Sequence, residues 1–212
     1  MLAAHIYGRI LLIQRLLPLV KAATGLGRVV SVDYGGYEGI VVPSDWPALT
    51  FSVFPFRFVG HCASMVTLTL KRIAQAAPDV SFIHVHPGVV PTKNIDGLPG
   101  VWRLIAKSIT WIVSPFLAIS IHESAERHVF LATSASYKPK SGDTNGVPLV
   151  KGLELHEGVN GECGSGVYSV KWHCDGPGEK VVQLLTEYEK NGTMEQAWQH
   201  IISELKRVEK SF

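Results

Sequence analysis

The chain has little charge, few cysteines and no long unbroken apolar run, and each absence excludes something. Charged residues are 18% of its 212 residues, too few beside 46% hydrophobic residues for a disordered, charge-solvated chain. Lysine plus arginine number 20 against 18 acids, mixed along the chain. No basic block with interleaved aromatics occurs, so nucleic acid is not an expected partner. The three cysteines, Cys62, Cys163 and Cys174, cannot all pair with one another. An odd, sparse count points to a reducing, cytoplasmic setting rather than a secreted disulfide scaffold. His84, His86, Cys163, His173 and Cys174 include no close ligand pair of the kind zinc sites use, so no metal is expected there.

Apolar stretches are present but interrupted. Residues 2–23 are broken by Arg9, Gln14, Arg15 and Pro18, and residues 108–121 by Pro115. A leader peptide needs an unbroken run of roughly 7–15 apolar residues, and a spanning helix about 20. Neither stretch qualifies, and both read as buried or interface helices with no transmembrane span.

The length fits one domain over residues 1–212, with a sizeable core. Ile6, Ile10, Ile13, Leu17 and Val20 recur at helical spacing over 4–23, with Pro18 kinking or shortening the end. A β-branched run from Arg28 to about Asp33 predicts a buried strand. A loop rich in Pro, Gly, Ser and Asp follows to about Arg57. Residues 60–77 predict a helix with Met65, Leu68, Leu70, Ile73 and Ala74 inward. After Pro78-Asp79, the run VSFIHVHPG reads as a second strand ended by Pro87-Gly88. Helices are expected over 98–120 and 123–133, a polar loop over about 134–161, a last strand in GSGVYSVKW, and helices over 178–190 and 193–209. Alternating helices and strands argue an α/β fold with parallel strands, because a parallel pair needs a crossover of a dozen or more residues.

At this point the chain resembles the short-chain dehydrogenase/reductase family, in its second half. RVVSVDYGG is similar to the family's fifth strand, GHCASMVTLTLKRIA to its catalytic-helix region, and SFIHVHPGVVPT to its sixth strand. Pro87-Gly88-Val89-Val90-Pro91-Thr92 fits the family's P-G-x-V-x-T motif. ESAERHVFLATSASY, GSGVYSVKW and Met194, Trp198 and His200 resemble the tails of fungal members from secondary-metabolite pathways. The resemblance implies a partial Rossmann-like, doubly wound fold that keeps parallel strands 5-6-7 of a sheet ordered 3-2-1-4-5-6-7, the first four strands being absent.

What the resemblance implies for chemistry is divided. It implies ketone/alcohol interconversion with NADP or NAD on a small apolar, polyketide- or terpenoid-like substrate. Pro87, Gly88, Val90 and Thr92 would meet the nicotinamide half of the cofactor, and Trp102, Trp111, Phe116 and Leu117 would form an apolar lid, or simply fill core. Yet no Gly-rich turn opens a helix to hold phosphates. Gly161-Glu162-Cys163-Gly164-Ser165-Gly166 precedes a strand instead of following one. Nor does any of the six tyrosines have a lysine four residues later. The family's catalytic positions fall on Ser31 or Tyr34 and, in one register, on His61. The expectation is an oxidoreductase fold that is inactive or incomplete as this chain, with no cofactor bound as one outcome. The alternative is a non-catalytic accessory protein. Either way strand 28–33 is left as an exposed edge open to a second copy or a partner chain. A start upstream of Met1 would account for the missing strands equally well.

Overall fold

The computed structural model describes residues 3–49, 55–90, 100, 108, 118–143 and 146–210. A π turn, Ala3–Tyr7, runs into helix α1, Gly8–Lys21. Ile6, Ile10 and Ile13 are buried, with Leu17 and Val20 at the margin of the same core. The apolar stripe of the sequence is therefore the inward face. Pro18 sits in the last turn, where its carbonyl still accepts from the Ala22 N–H.

Three strands form one parallel sheet in the order β1-β2-β3: Arg28–Val32, Ser81–Val85 and Val167–Val170. Every residue of β2 and β3 is buried, which is why these runs are apolar almost throughout instead of alternating. Helix α2, Pro55–Ala76, joins β1 to β2. It starts five residues before the position expected from periodicity, with proline at its head, where a missing N–H costs nothing. Helix α3, Ile121–Thr133, lies between β2 and β3, and its first turn is closed by the Ser120 hydroxyl accepting from the Glu123 N–H at 3.0 Å. Helices α4, Glu179–Lys190, and α5, Thr193–Glu209, follow β3. The architecture is α/β, a three-stranded parallel sheet flanked by helices, consistent with a Rossmann-like fold.

The two sheet faces differ. Val29, Phe82 and Val167 belong to a core shared with α1, α2, α4 and α5. Ile83, Val85, Tyr168 and Val170 pack with Leu131 of α3 and with Tyr137. With α2 on one face and α3 on the other, while the strands advance in a single direction, the described parts of the two crossovers wind with opposite hands. Such connections are right-handed in the great majority of proteins, so one of the two departs from the rule.

Residues 60–71 of α2 are buried on all sides, so its polar side chains need internal partners. The Ser64 hydroxyl donates to the Gly39 carbonyl at 2.6 Å and accepts from the Gly39 N–H at 3.0 Å. The Lys71 ammonium reaches Glu189 of α4 at 2.8 Å. Gly39 and Gly60 meet so closely that a Cβ on either would lie 3.0 Å from the other's Cα.

The helix expected over 98–120 lies almost wholly outside the described residues, as do Thr92, Trp102, Trp111, Phe116 and Leu117. No helix among the described residues is long and apolar enough to cross a membrane.

Candidate functional site at the carboxyl edge of the sheet

In open α/β sheets ligands bind beyond the carboxyl ends of the strands. Here that edge carries Asp33-Tyr34-Gly35-Gly36 after β1, His86-Pro87-Gly88 after β2 and Lys171-Trp172 after β3. Gly35 touches β2 itself: a Cβ there would sit 2.1 Å from the His84 carbonyl oxygen. Gly88 has φ +79°, a left-handed backbone, and a Cβ on it would lie 2.8 Å from Cβ of Trp172. Both glycines thus let the chain turn tightly where the edge is formed.

Beneath the edge lies a buried polar cluster. Ser31, His84 and Ser169 occupy matching positions on the three strands, a polar rung across an otherwise apolar face. Glu38 descends onto it with no exposed side-chain surface. Its Oε1 accepts from the hydroxyls of Thr67, at 2.6 Å, and Ser169. Thr67 has one proton and gives it to Glu38, so its oxygen accepts from Nδ1 of His84 at 2.8 Å. The Tyr34 N–H points at Nε2 of His84, at 3.3 Å, and the Gly36 N–H at the Ser169 hydroxyl, at 2.7 Å. Burial by itself would raise the Glu38 carboxyl, but the neighbouring His84 ring and the hydrogen bonds from Ser169 and Thr67 outweigh it and hold the group below the usual carboxylate range. The cluster therefore anchors the segment that bears Tyr34.

A second cluster sits at the surface above it. The Asp33 side chain is 6% exposed, with Oδ1 3.3 Å from Nδ1 of His5 and Oδ2 3.7 Å from the Arg9 guanidinium. Its Oδ2 accepts no hydrogen bond among the described residues. Arg9 also donates to the Ser31 hydroxyl and to the His5 carbonyl, both at 2.9 Å. Tyr34 stacks between His5, at 5.7 Å, and His86, at 6.2 Å. Its phenol is pushed up by burial and by the Asp33 charge, and among the described residues its hydroxyl has no hydrogen-bond partner. A protonated phenol, an imidazole and a buried carboxylate are thus gathered in one place, able to give or take a proton.

The sequence-derived candidates divide accordingly. Ser31 and Tyr34 are brought together at this edge, Ser31 buried beneath Arg9 and Tyr34 half-exposed. Pro87, Gly88 and Val90 line the same edge and are partly exposed. His61 is placed elsewhere, fully buried on α2. Its Nδ1 accepts from the Val42 N–H at 3.2 Å, and Nε2 lies 3.1 Å from the Trp46 carbonyl. Burial lowers its pKa, so it is a neutral core histidine at neutral pH. His5, Arg9, Asp33 and Glu38 were not singled out from sequence. His5 and Arg9 stand four apart and share a helix face, a signal legible in the sequence had the apolar stripe not dominated it. Nothing in the sequence marks Glu38 as buried.

The sheet and its edge define an α/β protein with polar and aromatic side chains gathered at the carboxyl edge of its strands, and comparison with known proteins narrows the class. No family model matches the chain, and no solved structure matches it. It is 32% identical over 210 residues to the oxidoreductase andH of Emericella variicolor, covering 98% of this chain and 60% of that protein. It is 35% identical over 201 residues to an oxidoreductase of Emericella nidulans, covering 93% and 59%. It is 26% identical over 208 residues to the short-chain dehydrogenase/reductase SAT2 of Stachybotrys chartarum, covering 96% and 57%. The chain is thus similar to fungal proteins named oxidoreductases and spans about 60% of the length of those it matches.

Proposed function

We propose that this chain is the nicotinamide-side portion of a dinucleotide-dependent oxidoreductase. It would interconvert a ketone and an alcohol on a small, apolar, polyketide- or terpenoid-like substrate of fungal secondary metabolism. One observation carries the reading: Tyr34, His5 and Asp33 converge beside the Pro87-Gly88 turn at the carboxyl edge of a parallel sheet. The names of its relatives support the same class.

The described residues fit one half of such a cofactor. Gly88 has no side chain to obstruct a flat ring and is backed by Trp172. The phosphates would need residues outside those described, since among the described residues no G-x-G-x-x-G turn opens a helix. Bound NADP(H) or NAD(H) would supply the hydride chemistry. This chain's residues would handle the proton. The raised Tyr34 phenol stays protonated at neutral pH and serves as donor to a substrate oxygen. His5, with Nδ1 toward Asp33, has Nε2 left to exchange a proton with a ligand. No lysine stands four residues from Tyr34 to hold a ribose in the family's way, so the chain alone is inactive or nearly so.

The test is a titration of the purified protein with NADPH, and separately NADH, followed through tryptophan fluorescence, since Trp172 adjoins the turn. Quenching that saturates, and that a Gly88→Val change abolishes, supports the reading; no change at millimolar cofactor removes it. A second reading, an accessory protein that binds a partner or a second copy through strand β1, is favoured by that strand's having a neighbour on one side only among the described residues.

A further inference from the structure

The amino edge of the sheet, opposite the site described above, holds a cavity of about 150 Å³. The five residues of β2 put roughly 16 Å between the two edges, at about 3.3 Å per residue. Val80, Val159 and Val167, all buried, supply its apolar surface. The last turns of α2 line it through Lys71 and Gln75, and the turn before β3 through Ser165 and Gly166. That turn belongs to the Gly161–Gly166 run, whose glycine spacing leads into a strand and not a helix.

The polar groups of the cavity are mostly donors. The Lys71 side chain is 9% exposed, and its ammonium meets Glu189 of α4 at 2.8 Å. An ammonium carries three protons, and among the described residues only Glu189 takes one from Lys71. Lys140 also lines the cavity, and neither its ammonium nor the Gln75 carboxamide has a partner among the described residues. The backbone fixes Lys140 in this place. The Tyr168 hydroxyl donates to the Lys138 carbonyl at 2.6 Å and the Ser141 N–H to the Pro78 carbonyl at 2.8 Å, so the chain is tied on both sides of it. Gly166, at φ +88°, lies against the same segment: a Cβ there would sit 2.7 Å from the Lys140 nitrogen.

This lining selects among ligands. Its charged members are Lys71, Lys140 and Glu189, which leave one net positive charge. A cation is repelled. A phosphate brings more charge than the lining balances and nothing to cover the valines. The carbonyls at the end of α2 disfavour an anion, but two of them are already occupied. Ala74 accepts from the Ala77 N–H at 3.2 Å, and Ala76 from the Lys21 ammonium at 3.2 Å. A single carboxylate therefore matches the charge, and the valines call for an apolar body beside it. A cavity of about this volume holds one benzene ring.

We infer that the cavity binds a small monocarboxylate whose apolar body is about the size of one six-membered ring. The carboxylate meets the Lys140 ammonium and the Gln75 carboxamide, and the ring rests on Val80, Val159 and Val167. The site lies a strand's length from the proposed redox chemistry and does not depend on it, so a failed cofactor titration leaves it standing.

The experiment titrates the ¹⁵N-labelled chain with sodium benzoate at constant ionic strength and follows backbone amide shifts by NMR. Benzyl alcohol, of similar shape and no charge, is the control ligand. Saturable shifts should centre on the amides of Gln75, Val80 and Gly166, and benzyl alcohol should bind at least tenfold more weakly. Lys140→Gln, at an exposed position that bears no other contact among the described residues, should weaken benzoate binding at least tenfold. Lys151→Gln, at an exposed position outside the cavity, should leave it unchanged. Absence of saturable shifts at tens of millimolar benzoate overturns the inference. So does equal binding of the two ligands, full affinity in Lys140→Gln, or shifts centred on Gly35 and Gly36 at the carboxyl edge.

Discussion

Thr67 and Thr69 offer a controlled comparison of what the buried carboxylate is worth. Both are fully buried on α2, two residues apart, and Thr→Val replaces either hydroxyl with a methyl of similar volume. The Thr69 hydroxyl donates only to the Met65 carbonyl one turn back, at 2.7 Å, an acceptor that the helix already serves. Its loss should cost about 1 kcal/mol or less. The Thr67 hydroxyl donates to Glu38 and accepts from His84. Its loss removes a hydrogen bond to a charged group, worth about 1.5–3 kcal/mol, and leaves Nδ1 of His84 unpaired at about 1–3 kcal/mol. The difference between the two variants should be about 1.5–5 kcal/mol. In a chain of this size that separates their melting temperatures by roughly 3–20 °C, and urea unfolding at neutral pH measures the same gap. Acid provides an internal control. A carboxyl held below its unfolded value contributes stability that is complete above about pH 4.3 and is lost as pH falls through the folded value. The gap should therefore persist at pH 5 and narrow only in stronger acid. Equal destabilisation by the two variants, or a gap that closes already at pH 6, would refute the assignment of Glu38 as the hub.

Burial lowers the pKa of His61 and of His200, the latter bonded to the Tyr7 hydroxyl at 2.8 Å. The unfolded chain therefore takes up protons first. Stability should be complete above about pH 6.5 and decline below it, and a His61→Gln, His200→Gln double variant should flatten urea midpoints compared between pH 7.5 and 5.5. Gly35→Ala would drive a methyl onto the backbone of β2, where nothing flexible can yield. More than about 4 kcal/mol should be lost, seen as insoluble expression or a collapsed melting transition. Gly88→Ala is milder: a left-handed alanine costs about 1–2 kcal/mol, plus a displaced Trp172, readable as a shift in tryptophan emission.

Much of the framework was legible in the chain itself. The β-branched runs at 28–33 and 81–85, the apolar stripe through Ile6, Ile10 and Ile13, and the closing helices all follow from periodicity, because burial on one face leaves that trace. The head of α2 was missed because Pro55 stands five residues ahead of the periodic stretch. The Ser120 cap was missed because the acids after it drew the eye to Glu123. The site was legible only in part. Tyr34 and the Pro87-Gly88 turn carry local chemistry in their own residue types. Asp33 becomes a site residue only through His5 and Arg9, 28 positions away in the case of His5, and Glu38 only through Thr67 and Ser169, the latter 131 positions distant. Such pairings arise from the fold and leave no spacing to recognise.

The polar rung Ser31–His84–Ser169 has a consequence for how the strands find their alignment. Sliding one strand by a single position exposes its apolar side chains, an error any hydrophobic pattern penalises. Sliding by two keeps every side chain on its proper face, so the alternation of faces alone does not penalise the mistake. With Glu38 lodged above the rung, a two-residue slip of β3 replaces the Ser169 hydroxyl with the Val167 side chain and strands an anion in hydrocarbon. One glutamate thus serves as the gauge that tells the correct alignment from its nearest counterfeit.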